Sequence, residues 1–418
     1  MNIKYKFLFK ILLIACLSLS LSGCLNSRQQ KDVPYEASPD TVGSGEPAVN
    51  SGSSSNDSEE TDNFLSIKMI NRQDGWAESS QAVFKTENGG ADWIDITPVD
   101  IKALKAQYPI QAYFFLDENC AWVMPYQKTQ TKYVRQTIIF RTPDKGAHWD
   151  KFELPQTNMG TNLFFVNKDK GWMTLTQSRS LGQHPFGLYA TKDGGKTWDK
   201  IHSVNMNAHS SIPLSGLISG FYFTDVQTGW LTGTTNMGLP VLEQTTDGGS
   251  TWVDGEFPYQ EDSMNAGDNT SISVDPPVFF NGKDGLIRVR YATINGEIYS
   301  LFYHTGNGGK SWTKKDEKIA HTDIGSLKYS FADQNNGWLI ADGKEFMKTA
   351  DGGTTWTSLN DALSALSLKK ILDIQFVDKN NGWILDETGL FKTTDSGKSW
   401  HKVKIEIEEM VMSEAKAQ

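Results

Sequence analysis

The chain has 418 residues and carries 50 acidic against 40 basic side chains, which gives a formal net charge of −10 at pH 7. This acidity excludes nucleic acid as an expected partner, because a nucleic-acid-binding surface needs concentrated lysine and arginine. The length exceeds that of an average domain, so the sequence predicts either several domains or one domain built from repeats.

The amino terminus combines basic residues with a short apolar stretch. Lys4 and Lys6 precede an apolar run that ends in Leu-Ser-Gly-Cys at Cys24. The run is too short for a spanning helix and ends in small residues, so residues 1–23 are predicted to be a cleaved signal peptide. The Leu-Ser-Gly-Cys sequence resembles the lipobox of bacterial lipoproteins, which implies that the Cys24 thiol carries acyl chains such as palmitate and anchors the chain in the lipid bilayer. An ordinary signal peptide followed by a chance cysteine is the alternative.

Residues 24–63 are predicted to be a disordered tether between this anchor and the folded part. After the cysteine, the segment holds eight acids against Arg28 and Lys31, is rich in Gly and Ser, and contains almost no large apolar side chains. A flexible chain of this length spans roughly 35 Å, enough to hold a domain off the bilayer. We therefore expect an extracytoplasmic protein at the outer face of the cytoplasmic membrane.

From residue 64 onward, one octapeptide recurs seven times, beginning with Thr and ending with Trp in every copy. Its third position is always Asp or Asn: Asn88, Asp144, Asp193, Asp247, Asn307, Asp351 and Asp395. Such a side chain can bond backbone N–H groups, the glycine that usually follows accepts a positive φ, and the Trp buries a large ring. Each octapeptide is therefore predicted to be a rigid turn between two strands, with these seven residues in structural roles.

A second motif precedes each octapeptide: Asp or Asn is followed five residues later by Trp, or once by Leu286, usually within Gly-Trp. Between the motifs, residues alternate as in β-strands, and each repeat has room for four short strands. Successive octapeptide tryptophans are 44 to 60 residues apart, the length of a four-stranded blade. The sequence thus predicts an all-β, seven-bladed β-propeller of four-stranded antiparallel blades over residues 64–409, followed by a tail over residues 410–418.

The octapeptides resemble Asp-boxes, also known as bacterial neuraminidase repeats. With the added Gly-Trp element, the chain is most similar to the photosystem II stability and assembly factor family of seven-bladed propellers. That resemblance implies a scaffold that holds a membrane protein during its assembly. Asp-boxes also occur in sialidases, xyloglucanases and sortilin-type receptors, so they specify architecture more closely than activity. The arginine-rich patch of the family cannot be matched residue by residue here, so no site is carried over.

Candidate binding residues are predicted on the face opposite the Asp-boxes. If the strands run outward through each blade, both turn motifs lie on one face, and the loops between strands 2 and 3 lie on the other. These loops are longest in blades 2 to 5, and binding residues are commonly carried on such loops. We select a basic and aromatic segment of blade 2 with two arginines of blade 5: Tyr126, Lys128, Lys132, Tyr133, Arg135, Arg288 and Arg290. Solvated lysines and structurally paired arginines are the alternative interpretation.

The sequence predicts no catalytic residue, cofactor or metal site. A sialidase-like run ending in Arg141-Thr142-Pro143 continues into the second Asp-box, and only seven arginines are available for a carboxylate clamp. The seven histidines show no short metal-ligand spacing. We expect a monomeric, non-catalytic scaffold that binds an envelope or membrane protein. A glycosidase or glycan-binding lipoprotein that uses acids such as Asp275, Glu297 and Glu261 is the alternative.

Overall fold

The computed structural model describes residues 64–103, 110–125, 137–154, 159–176, 186–203, 217–234, 240–255, 269–293, 295–315, 317–323 and 325–409. In these residues the chain forms seven sheets, one for each predicted repeat, which confirms the seven-bladed β-propeller. The predicted signal peptide, Cys24, the tether and residues 410–418 lie outside the described residues.

Each blade is a meander of consecutive antiparallel strands, numbered here in chain order. Blade 1 contains β1 (Ser66–Met69), β2 (Gly75–Glu78), β3 (Val83–Thr86) and β4 (Asp92–Asp95). Blade 2 contains β5 (Ile110–Phe115), β6 (Ala121–Pro125), β7 (Thr137–Thr142) and β8 (Asp150–Leu154). Blade 3 contains β9 (Met159–Phe165), β10 (Gly171–Thr176), β11 (Phe186–Thr191) and β12 (Asp199–Ser203). Blade 4 contains β13 (Leu217–Phe223), β14 (Gly229–Thr234), β15 (Pro240–Thr245) and β16 (Val253–Asp254).

The last three blades follow the same order with one irregular member. Blade 5 contains β17 (Asn269–Val274), β18 (Val278–Phe279), β19 (Gly285–Thr293), β20 (Ile298–Thr305), β21 (Thr313–Lys314) and β22 (Ile319–His321). Blade 6 contains β23 (Leu327–Phe331), β24 (Gly337–Ala341), β25 (Glu345–Thr349) and β26 (Thr357–Ser358). Blade 7 contains β27 (Ile371–Phe376), β28 (Gly382–Asp386), β29 (Gly389–Thr393) and β30 (His401–Val403), and β31 (Glu406–Glu409) follows it. Two short helices, Val99–Ala103 and Asn360–Ser364, lie in connectors between blades.

The hydrophobic core is divided among the joints between neighbouring blades. The second strand of a blade is packed on both faces, so β6, β24 and β28 are buried at every residue. Trp172 and Leu188 of blade 3, for example, share one cluster with Phe223 and Leu231 of blade 4. Because each joint buries residues of two blades, the blades stabilise one another as they close into a ring.

The Gly-Trp tryptophans connect each blade to the next one. The indole of Trp122 in blade 2 stacks on Phe165 of blade 3 with 3.7 Å between ring centroids. Its Nε1 atom donates to the backbone carbonyl of Gly194, in the Asp-box of blade 3, at 2.9 Å. The same donation is made by Trp172 to Gly248, by Trp338 to Ser396 and by Trp383 to Gly89. One side chain therefore supplies both apolar packing and a hydrogen bond across the joint.

Ring closure joins blade 7 directly to blade 1. The Gln375 side chain accepts from the Met69 N–H at 2.7 Å and donates to the Met69 carbonyl at 2.8 Å. Beyond blade 7, β31 pairs in parallel with β4 and becomes a fifth strand of blade 1. Closure therefore adds one strand to a complete blade and leaves four strands of blade 7 in place.

Blade 5 departs from the regular meander. Its first strand is interrupted between β17 and β18 by Asp275, Pro276 and Pro277, and its last strand is divided into β21 and β22. Gly220 of blade 4 makes room for this detour, since a Cβ atom at that position would lie 2.6 Å from Pro276 Cγ. The extra length of the repeat extends β19 and β20 to 9 and 8 residues.

Candidate functional site

Both turn motifs of each blade lie on one face of the propeller, as predicted. The Gly-Trp motif leads into the second strand, and the Asp-box joins the third strand to the fourth. In all seven blades the N–H of the fourth Asp-box residue donates to the carbonyl two residues after the Gly-Trp Asp or Asn, at 2.8 to 3.0 Å. The two turns of a blade thus form one hydrogen-bonded unit, and the opposite face carries the loops between strands 2 and 3.

Side-chain oxygens of the Asp-box acids and amides point into their own turns. In each box the third-position oxygen accepts from the first-position Thr hydroxyl at 2.8 to 3.0 Å. The same oxygen accepts from the seventh-position N–H at 2.9 to 3.0 Å. In the sixth box, hydrogen bonds from the Thr355 N–H and hydroxyl lower the pKa of Asp351 to about 2. These groups are therefore engaged in turn geometry, which leaves them little capacity for a ligand.

The predicted binding residues fall into two sets. The blade 2 residues lie outside the described residues: Tyr126, Lys128, Lys132, Tyr133 and Arg135. Arg288 and Arg290 converge on one carboxylate, with Arg288 Nε 2.6 Å from Asp275 Oδ2 and Arg290 Nη2 3.2 Å from Asp275 Oδ1. The Tyr329 hydroxyl donates to the same carboxylate at 3.3 Å. Both arginine side chains are largely buried, at 10% and 17% exposure, and their role in partner binding stays a prediction.

Further polar contacts extend this cluster along the joint between blades 5 and 6. His321 Nε2 lies 3.0 Å from the Ser300 hydroxyl, and His321 Nδ1 lies 2.7 Å from the Asp323 carbonyl oxygen. Burial lowers the pKa of His321, which favours the neutral ring. A neutral histidine that donates from Nδ1 can accept the serine proton, the geometry of an activated nucleophile. Ser300 is completely buried, however, so a substrate has no access to this pair.

The described groups that were considered for a hydrolase make other contacts within the protein or lie exposed on a hairpin. Arg141 of the sialidase-like run lies 5.8 Å from the Trp122 ring centroid, and its Nη2 atom donates to the Lys168 carbonyl at 3.2 Å. Asp275 is held by two arginines, Glu297 is exposed in a hairpin of blade 5, and Glu261 lies outside the described residues. Among the described acids considered for a glycosidase, Asp275 is thus committed to two arginines and Glu297 lies exposed on a hairpin.

Within the described part of the chain, His, Cys, Asp and Glu residues form no group of three or more that could hold a metal ion. None of the helices described there has the length and apolar character needed to cross a bilayer.

The first strands of a propeller's blades surround its central axis, and those of blades 1, 6 and 7 carry a cluster of charged residues. Asp373 of blade 7 lies near Lys68 of blade 1 and Lys328 of blade 6. Burial raises the pKa of Asp373 to about 6, while the Ile374 N–H and the two lysines oppose this rise. Burial also lowers the pKa of Lys68, although its side chain is reached by solvent. A carboxyl group that titrates near neutral pH inside a channel is a candidate functional group that sequence spacing does not reveal.

The first strands of blades 2, 3 and 4 carry contacting aromatic rings. Phe114, Phe164 and Tyr222 occupy the same motif position in blades 2, 3 and 4, and each is only partly buried. Adjacent rings touch, with 5.1 Å between the centroids of Phe114 and Phe164 and 5.1 Å between those of Phe164 and Tyr222. The first strands therefore carry an aromatic arc over blades 2 to 4 and a charged cluster over blades 6, 7 and 1.

A cleft of about 410 Å³ lies on the Asp-box face where blades 7 and 1 meet. Its lining consists of Ile70, Asn71, Arg72, Gln73, Val377 and Asp378. Arg72 Nε lies 2.7 Å from Asp378 Oδ2, and the Arg72 side chain is 66% exposed. The two charged residues of this cleft are 306 positions apart and meet through ring closure, so no sequence motif indicates the site.

Comparisons with known proteins agree with the fold. Residues 315–411 match the family model described as "Photosynthesis system II assembly factor YCF48". A search of the curated proteins finds no match. The solved structure "YCF48 bound to D1 peptide" is 18% identical, with 80% of this chain and 94% of that chain covered and a TM-score of 0.50.

A GH74 enzyme from Niastella koreensis is 16% identical, with 82% of this chain covered and a TM-score of 0.55. The chain spans only 54% of the length of that enzyme. At such identities the likenesses bear on the fold alone, and the family model matches the end of blade 5 with blades 6 and 7. The chain is thus a seven-bladed Asp-box propeller that resembles the photosystem II assembly factor YCF48.

Proposed function

We propose that the protein is a non-catalytic scaffold, tethered to the membrane through Cys24, which binds an envelope protein and assists the assembly of a membrane protein complex. The observation that carries the proposal is that, among the described residues, the groups first considered for hydrolysis are engaged in structural contacts: Arg141, Arg288 and Asp275. The similar fold of YCF48, solved with a D1 peptide, supports a propeller that binds a protein segment. The engaged side chains favour a surface for binding over a site for chemistry.

The proposed contact surface is the face opposite the Asp-boxes, at the rim of blades 2 to 5. The Asp-box face repeats one hydrogen-bonded turn seven times, whereas the opposite face gathers the variation in loop length. Residues 126–135, a segment with three cations and two tyrosines between β6 and β7, are proposed to contribute to this face, where they would supply both charge attraction and buried ring area. Arg288 and Arg290 would border the same surface.

The test is photo-crosslinking of the full-length protein in its native membrane, with capture from the 126–135 segment. Replacing Lys128, Lys132 and Arg135 together by Ser should reduce capture at least several-fold and weaken its salt dependence. The matched control is triple replacement of exposed cations on the Asp-box face, Lys168, Lys196 and Lys398, by Ser. Equal yields in both triple variants, or crosslinks confined to the Asp-box face, would contradict the proposed surface. Retention of Cys24→Ser in the membrane fraction would contradict the tether.

A glycosidase is the second candidate, and the shared fold with a GH74 enzyme favours it. The channel acid Asp373 would then be the group to examine, because its pKa of about 6 suits proton transfer near neutral pH. Sustained hydrolysis of xyloglucan or sialosides that disappears in Asp373→Asn would favour the enzyme. We expect no turnover with the parent protein.

A further inference from the structure

We infer that the cleft between blades 7 and 1 on the Asp-box face is a docking site for an acidic segment of a partner protein, in which a carboxylate beside an apolar side chain binds Arg72. The site lies on the face opposite the proposed scaffold surface, so the inference does not depend on that proposal. Three features carry it: a rigid turn, a guanidinium with a free edge and an apolar floor.

The turn that carries Arg72 is fixed from two sides. Asn71 Oδ1 accepts from the N–H groups of Gln73 and Asp74 at 2.7 and 2.8 Å. The first Asp-box holds the same turn from below, since the Gly89 N–H donates to the Gln73 carbonyl at 2.8 Å. The backbone of Arg72 therefore needs little ordering when a ligand binds.

The carboxylate opposite Arg72 is fixed as well. Asp378 Oδ1 accepts from the N–H groups of Asn380 and Asn381 at 2.8 and 2.9 Å. Although burial opposes it, hydrogen bonds from Asn381, Asn380 and Arg72 lower the pKa of Asp378 to about 2. Asp378 thus stays charged at neutral pH and orients the guanidinium through Nε.

Arg72 retains binding capacity that the other described arginines lack. Among the described contacts, its Nε atom is the one that is hydrogen-bonded, and its side chain is 66% exposed, so the two Nη atoms are available to bind a carboxylate in bidentate fashion. Arg141, Arg288 and Arg290 are mostly buried and bound to carbonyl or carboxylate groups within the protein. Arg72 is therefore the described arginine that is best prepared for an external anion.

The floor of the cleft selects the kind of anion. Ile70 and Val377, one from each blade, are only partly buried and line the cleft beside the guanidinium. A free small anion would engage Arg72 and leave this apolar surface in water, whereas a peptide can place an apolar side chain there. The other turn acid, Asp74, already faces Asn71 and Lys145, at 2.8 and 3.7 Å. A carboxylate next to an apolar side chain is the chemistry that uses both features.

The test measures binding of a fluorescein-labelled, amide-capped peptide of alternating Glu and Leu to the full-length chain in detergent, by anisotropy at low and moderate salt. We expect saturable binding that salt weakens. Arg72→Gln should weaken peptide binding at least about tenfold, because the loss of a charge-assisted hydrogen bond lowers affinity by about that factor. Lys168→Gln is the control, because Lys168 is an exposed cation at the same motif position in blade 3. It should change affinity by less than about twofold.

A further variant and a competition measurement distinguish a peptide site from a site for simple anions. The isosteric change Val377→Thr should weaken the peptide several-fold and leave competition by acetate unchanged. Peptide binding that persists in Arg72→Gln, equal binding of a Gln-Leu peptide, or absence of saturable binding would each overturn the inference. Competition by acetate that is as strong per carboxylate as competition by unlabelled peptide would also overturn the inference. The Ser triple variant of Lys128, Lys132 and Arg135 should bind the peptide normally, which separates this site from the scaffold surface.

Discussion

The joint between blades 6 and 7 and the joint between blades 5 and 6 use the same motifs with different chemistry. At the first joint, Trp338 stacks on Phe376 at 3.7 Å and donates to the Ser396 carbonyl at 2.9 Å. At the second, Leu286 replaces the tryptophan, and its cross-strand neighbour His304 reaches toward the next Asp-box. A Cβ atom at Gly352 of that box would lie 3.2 Å from His304 Cε1. The imidazole thus approaches the place that an indole takes elsewhere.

The joint between blades 5 and 6 also contains buried polar atoms without hydrogen-bond partners. Among the described residues, neither His304 Nε2 nor Trp356 Nε1 has a hydrogen-bond partner, although both atoms are buried. The joint instead contains the ion pair of Arg288 with Asp275 and the contact of Ser300 with His321. Buried polar groups without partners cost free energy, and buried ion pairs return little of it. We therefore expect the Gly-Trp tryptophan to strengthen a joint and the joint between blades 5 and 6 to be weaker and sensitive to pH.

The largest effect is expected when the tryptophan at the joint between blades 6 and 7 is removed. Trp338→Ala should lower the free energy of unfolding by about 4 kcal/mol, because it loses a fully buried ring and a hydrogen bond across the joint. Leu286→Ala should cost less, about 2.5 kcal/mol, because only aliphatic packing is lost. Denaturant titration of both variants measures the difference. Equal costs would show that the tryptophan has no special role.

The next largest effect on the free energy of unfolding is expected from the ion pair at the joint between blades 5 and 6. Asp275→Asn should lower the free energy of unfolding by about 3 kcal/mol, because it leaves the buried Arg288 without its carboxylate. Arg72→Gln removes an exposed partner of Asp378 and should cost less than about 1 kcal/mol. Thermal and denaturant unfolding provide the measurement. A stable Asp275→Asn variant would mean that this cluster is dispensable for the fold and would strengthen its assignment to partner binding.

The smallest effect concerns pH. Burial, with a smaller contribution from Lys315, lowers the pKa of His304 to about 4, below its unfolded value near 6.5. The unfolded chain therefore binds the proton more tightly than the folded chain does. The contribution of neutral His304 to the free energy of unfolding is complete above pH 6.5 and is lost as the pH falls from 6.5 toward 4. At pH 5 the loss should be about 1 to 2 kcal/mol. His304→Gln, which matches Gln244 at this position in blade 4, should lose correspondingly less stability between pH 7.5 and 5. If the free energy of unfolding depends on pH in the same way in the parent protein and in His304→Gln, the loss of stability at low pH does not come from His304.

Seven repeats could be predicted from the sequence because each turn is built from contacts within a few residues. The bonds of Asp351 with Thr349, Thr355 and their backbone neighbours all lie inside one octapeptide. The interpretation of the tryptophans was incomplete, since the Asp-box Trp198 bonds Gly195 of its own turn while the Gly-Trp Trp122 crosses to the next blade. Both sets recur about once per repeat, so periodicity alone could not separate these roles.

By itself the sequence determined the number of blades, the strand order within a blade and the face that carries the Asp-boxes, because these depend on short-range hydrogen bonds and strand periodicity. Tertiary structure alone decided which charged groups meet. Arg72 reaches Asp378 because the ring closes, and Asp275 meets Tyr329 because blade 5 packs on blade 6. The physical reason is that a repeat encodes its own turn, whereas a joint is formed by side chains of two blades whose pairing depends on how the whole ring packs.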